Sequence, residues 1–171
     1  MKILKRSVPL WVLAVAVLAV VSVVIAAVII SRDISTHINI VGVKDMKFYY
    51  QGQEFTSIEF GDLNKGETKF YPPPESGEYY VLKNTGDYPY YVAWTVTDWP
   101  DGVTIKIYVN KGDWQSPPEN NYELAQGEIY SQVINPGEQL YWSIEITVGS
   151  DAQVGEYTPT LTWTGYDSPS G

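Results

Sequence analysis

The sequence predicts an all-β domain, a two-sheet sandwich of jelly-roll or immunoglobulin-like type, preceded by an N-terminal hydrophobic leader or membrane helix. Three observations predict it. From Val43 onward apolar and polar residues alternate in short runs, and no stretch sustains a 3.6-residue period. Turn residues punctuate these runs at intervals of roughly 8–12 residues, the spacing of sandwich folds. Aromatics make up 14% of the chain, with 14 Tyr and 6 Trp against 4 Phe, a bias toward amphipathic rings that suit pleated, half-buried surfaces.

Lys2, Lys5 and Arg6 open the chain as a positive segment, and Val8–Ile30 follows as about 23 residues without a charge. That run is longer than the ~7–15 residues of a signal-peptide core and long enough for a membrane span. Residues 1–27 are therefore expected to be a signal peptide cut near Ala26–Ala27, or a retained anchor with its basic end cytoplasmic. Either outcome places the remainder outside the cell. Next comes Val28–Val41, in which Ile30, Ile34, Ile38 and Ile40 share one face with Thr36 while Ser31, Asp33, Ser35, His37 and Asn39 share the other. An apolar strand at the free end of a domain needs a groove to fill, in its own domain or in a neighbour's.

The expected strands of the body, 43–165, are Val43–Tyr50, Thr56–Phe60, Tyr79–Lys83, Tyr91–Thr97, Val103–Val109, Ile129–Val133, Gln139–Val148 and Glu156–Thr164. Core faces are read from the clearest alternations: Val92, Trp94, Val96; Val103, Ile105, Ile107, Val109; Leu140 to Val148 at every second position; and Tyr157, Leu161, Trp163. Gly52, Gly61-Asp62, Asn64-Lys65-Gly66, Asn84 to Asp87, Asp101-Gly102, Pro136-Gly137 and Gly149 to Asp151 mark turns. Prolines 72–74 and 117–118 interrupt two longer surface connections, and 166–171 reads as a loose polar tail.

Composition excludes several functions. The chain has 11 basic and 20 acidic residues. Without Lys2, Lys5 and Arg6, eight basic residues face 20 acidic ones, a net charge of −12. Such a domain repels nucleic acid and anionic membrane surfaces, so contact with a membrane is expected only through the leader. Cysteine is absent, which removes disulfides, zinc-thiolate sites and thiol catalysis. No Asn-x-Ser/Thr sequon occurs.

Two blocks carry a resemblance. Asn84-Thr85-Gly86-Asp87 leads into Tyr91–Thr97 and Trp99-Pro100-Asp101-Gly102; Asn135-Pro136-Gly137-Glu138 leads into Leu140–Val148, then Ala152 and Gly155-Glu156-Tyr157. With the leader, the missing cysteines and the apolar strand, most of residues 28–165 resembles the TasA/camelysin family of biofilm-fibre proteins and the related archaeal bundling pilins. The resemblance implies a jelly-roll subunit whose N-terminal strand, residues 28–42 here, completes the sheet of the next subunit. Ile30, Ile34, Ile38 and Ile40 would form that donor interface in a head-to-tail homopolymer at the cell surface, acting in adhesion or biofilm.

Enzymatic chemistry finds little support. His37, the single histidine, falls on the polar face of the terminal strand, and no spacing singles out a carboxylate pair among Glu59, Asp62, Glu145 and Glu156. The chain is expected not to be an enzyme and to need no cofactor. Calcium is the one candidate cation, with Asp98, Asp101, Asp151 and Glu156 as candidate ligands, although no dedicated loop spacing is present and capping of turn amides is the plainer role. Tyr49-Tyr50, Tyr79-Tyr80, Tyr88, Tyr90, Trp99 and Trp114 suit a sugar platform, a subunit contact or core. Two other architectures compete with the filament subunit: an anchored extracellular binding module, and a type IV-like pilin with Val8–Ile30 as its core helix.

Overall fold

The computed structural model describes residues 34–43 and 45–170. They form an all-β, two-sheet architecture. Sheet A contains β1 (Ile34–Val43), β4 (Ser57–Leu63), β7 (Tyr91–Thr97), β11 (Glu156–Tyr157) and β12 (Thr160–Tyr166). Sheet B contains β2 (Met46–Tyr50), β3 (Gln53–Glu54), β5 (Thr68–Tyr71), β6 (Tyr80–Asn84), β8 (Val103–Asn110), β9 (Tyr122–Leu124) and β10 (Gln139–Val148). No helix among the described residues is long and apolar enough to cross a membrane. The expected leader, 1–27, and Ile30 lie outside the described residues.

Alternation builds the core. Val92 and Trp94 of β7 and Leu161 and Trp163 of β12 turn inward from sheet A, and Leu140, Trp142, Ile144, Ile146 and Val148 of β10 face them from sheet B. Trp142 and Trp163 meet edge to face across the layers, 5.4 Å between ring centroids. Such pairs add about 0.5–1.5 kcal/mol beyond the area they bury. Every residue of the four alternating sets is buried or packs against the core.

Of the strand expected at Val28–Val41, residues 28–33 lie outside the described residues and the rest belongs to β1, which lies inside sheet A. It pairs in parallel with β12 (Asn39 to Thr160 through Val43 to Thr164) and with β11 (Ser35 to Glu156, Thr36 to Tyr157), and antiparallel with β4 (Ile34 to Leu63 through Asn39 to Ser57). Ile38 is fully buried and Ile40 nearly so, level with Ile58 and Leu161 of the flanking strands. The described part of β1 packs in one unit with the strands that follow it. The Val43–Tyr50 run is two strands in different sheets, because the chain turns from sheet A to sheet B between Val43 and Met46.

β4 departs from the expected Thr56–Phe60. It passes through Gly61-Asp62, read from sequence as a turn, and continues to Leu63 with a bulge opposite Thr36/His37. Gly61 takes φ +62°, a conformation few other residues tolerate, and the extra residue shifts the alternation so that Leu63 turns inward in place of Asp62. Ile129–Val133 is not a strand. It runs beside β7, with Gly127 N donating to Trp94 O, Tyr130 N to Val92 O and Ile134 N to Tyr90 O, at intervals too uneven for a ladder. β12 extends to Tyr166, paired with Tyr91, one residue into the stretch read as tail. At the far side of sheet A, β4 has no second partner strand among the described residues. There the Tyr71 hydroxyl donates to Phe60 O at 2.6 Å and the Lys69 ammonium to Asp62 O at 3.0 Å.

Ile38→Ala removes a side chain with no exposed surface from the middle of sheet A. The expected loss is about 2–5 kcal/mol, read as a lower urea midpoint with an unchanged m-value.

Candidate functional site

Of the candidate interface residues, Ile38 and Ile40 fall together on the inward face of β1. Ile38, Ile40 and Gly42 follow one another on the inward face. A Cβ at Gly42 would stand 2.9 Å from the Met46 Cβ and 3.2 Å from the Phe48 ring, so glycine lets the strand close onto sheet B where the chain crosses over. Immediately beyond, Asp45 is clamped. Its carbonyl accepts from both the backbone N–H and the hydroxyl of Thr85, each at 2.8 Å, and its carboxylate lies so near Gly86 that a Cβ there would come within 2.8 Å. This explains the Asn84-Thr85-Gly86 sequence locally: each residue has a separate contact.

Asn84 is fully buried and joins the two blocks on which the sequence resemblance rests. Its Nδ2 donates to Tyr88 O at 2.8 Å and Ile134 O at 2.9 Å, and its Oδ1 accepts from Gly86 N at 2.9 Å. Its carbonyl also accepts from Gly137 N of the Asn135-Pro136-Gly137-Glu138 turn. A buried amide with all these bonds made is stable; deprived of them it would cost about 1–3 kcal/mol per orphaned group.

The side chain of Ile34 is not among the described groups, although Ile34 opens β1 opposite Leu63. His37 pairs in register with Glu59. Asp98 adopts φ +58° just after β7, and Asp101 sits in the turn before β8. Asp151 lies against the same turn: a Cβ on Gly102 would meet its Oδ1 at 3.1 Å and one on Gly149 at 2.7 Å. Glu156 belongs to β11, beside Ser35 of β1. Among the described residues no three His, Asp or Glu side chains are grouped so as to hold a metal ion. Glu145, on β10 of sheet B, accepts from the Tyr108 hydroxyl at 2.6 Å, away from Glu59 and Asp62 on β4 of sheet A.

Compared with known proteins, the sequence matches no family model, and no curated protein matches it.

A recurrent use of acids escaped the sequence reading. In Asn64-Lys65-Gly66-Glu67, Ala125-Gln126-Gly127-Glu128 and Asn135-Pro136-Gly137-Glu138, the third residue is a glycine with φ near +80°. The glutamate that follows accepts through its carboxylate from the first residue's N–H, at 2.7, 2.9 and 2.8 Å. The signal was present as a repeated Gly-Glu closing a four-residue turn. The Asn64 N–H is the main cause that holds the Glu67 carboxyl below its ordinary value. At Glu138 the Lys111 ammonium, 2.7 Å away, comes first and the Asn135 N–H second. Glu78 is lowered too, chiefly by the Tyr50 hydroxyl, and Tyr50 in return is pushed up to about 12.

For carboxyls lowered by folding, the stabilisation is complete above the unfolded value and is lost as pH falls through the folded one. Melting temperature is therefore expected to hold near neutrality and to decline below the ordinary carboxyl range of about 4–4.5. In a melting series against pH, Glu67→Gln with Glu138→Gln should flatten that acid limb.

Proposed function

We propose that this chain is a structural subunit of an extracellular filament, in which β1 of one copy occupies the place between β4 and β12 of the next. The observation that carries the reading is the position of β1: the first strand of the body fills an interior slot, paired along both edges. Ile38 and Ile40 supply a gross burial gain of about 3–6 kcal/mol, and the main chain on both sides sets the register. A neighbour's copy of β1 makes the same contacts as the chain's own. The balance between the two is set by the crossover at residues 43–46, and a short, tight hinge favours exchange between copies. Gly42 and the clamped Asp45 make this crossover tight.

The exchange is heterologous: each copy gives one strand and receives one, so the contact propagates in place of closing into a dimer. The jelly-roll subunit, the cell-surface location and a role in adhesion or biofilm follow the same reading, supported by the likeness to the TasA/camelysin family and the archaeal bundling pilins. A second reading, an anchored module that keeps β1 to itself, is favoured by the complete pairing of β1 within its own chain.

A disulfide separates the two. Val41 and Thr162 are register partners on adjacent parallel strands, about 4.8 Å apart, inside the ~4.4–6.8 Å range of Cα separations that a disulfide bridges. The natural chain has no cysteine to interfere. Oxidised Val41→Cys with Thr162→Cys is expected to run as a ladder of multimers on a non-reducing denaturing gel. A band of monomer alone would assign the strand to its own chain and the module reading would stand.

A further inference from the structure

The outer face of sheet B carries a trough that strand exchange does not use. Register places Tyr49 of β2, Val81 of β6 and Tyr141 of β10 in one straight row across three strands. The next row along the same face is Lys47, Lys83 and Gln139. The first row is half-buried and floors a depression of about 570 Å³, bounded by Gln51-Gly52 and Gly77-Glu78, which meet where the Gln51 amide donates to the Glu78 carboxylate. Tyr79 extends the floor, its ring 4.6 Å from that of Tyr141 and 5.9 Å from Trp114.

We propose that this trough binds a neutral polysaccharide, with pyranose rings laid on Tyr49 and Tyr141. Two strand spacings separate these tyrosines, roughly 9–10 Å, a distance comparable to the length of a disaccharide, and the smaller Val81 leaves the space between them clear. Aromatic faces accept the C–H-bearing faces of a sugar ring through their negative quadrupole. Hydroxyls need donors and acceptors along the rim, and the rim supplies both kinds. Lys83 has no ion-pair partner among the described residues, whereas Lys47 is held by Glu54 at 2.8 Å. At the rim Glu78 accepts from the Tyr50 hydroxyl and the Gln51 amide, which hold its carboxyl below its ordinary value.

Charge decides the class of glycan. A domain of net charge −12 with one uncommitted lysine in the trough disfavours a polyanion, while a neutral chain carries no such penalty. The depression has the size of a small-ligand site, yet it is lined by too many polar groups to suit a purely apolar ligand.

Affinity electrophoresis of the full chain through gels containing soluble β-glucan, hydroxyethyl cellulose, glycol chitin, mannan or alginate tests this. Retardation by at least one of the four neutral or near-neutral polymers is expected, with little by alginate. Tyr49→Ala and Tyr141→Ala are each expected to weaken it at least tenfold, and Tyr166→Ala, on the other sheet, to leave it unchanged. Should either alanine variant melt early, Val81→Trp takes its place: it fills the trough without removing core atoms and should abolish retardation. Retardation by alginate alone, by none of the polymers, or equally in wild type and trough variants would overturn the proposal. So would loss of self-assembly in Tyr141→Ala without any glycan bound, which would make the trough a contact between copies. Because the cross-linking pattern of β1 is read separately, failure here leaves the filament reading standing, and the reverse holds as well.

Discussion

Between β4 and β12 there is no direct pairing, so the facing edges of these strands are satisfied through β1 alone. Unpaired backbone groups buried away from water are costly, and without β1 sheet A would present two such edges along with the cavity left by Ile38 and Ile40. The rest of sheet A depends on this one strand. Its directions record the constraint: β1 is parallel to β12 and antiparallel to β4, an arrangement that joins the two ends of the domain's chain in a single sheet. A strand in that position is either permanent or replaced by another just like it.

The contacts made by Asn84 and Asp45 give the crossover its geometry. Asn84 ties the end of β6 to the turn before β10, and its neighbour Thr85 holds Asp45 where the chain enters sheet B. Movement of β1 would therefore be confined to the few residues before Asp45, with sheet B undisturbed. Toward sheet B the chain is held by the Asp45 carbonyl, which accepts twice from Thr85, and toward sheet A by Gly42, where any side chain would meet Met46 and Phe48.

Much of this was legible in the sequence, where period-two alternation was unbroken. Leu140 to Val148 and Val103 to Val109 are long, evenly patterned and central, and their burial follows the pattern. The pattern failed at β4, where the bulge at Gly61 moves Leu63 into phase with the core and makes a strand look like a turn. It also failed at Ile129–Val133, which follows β7 with irregular bonds. β5 and β9 carry too few apolar residues to announce themselves. As for the candidate sites, Ile38 and Ile40 were evident as one face, but which strands receive them is a matter of register. The row of Tyr49, Val81 and Tyr141 was invisible for the same reason, since three residues far apart in the chain become neighbours only through pairing.

The side chains along β4 carry one more consequence. An open strand edge is a template for any other chain with free main-chain groups, and proteins commonly blunt it with charge or cover. Here the Phe60 and Asp62 carbonyls are occupied by a tyrosine hydroxyl and a lysine ammonium, and the far edge of β7 is covered by residues 127–134. Growth of sheet A by unspecific stacking of one edge on another is thereby disfavoured at both ends. Any association of such domains through sheet A would then need a fitted segment or a fitted face, since neither edge offers a bare row of main-chain groups.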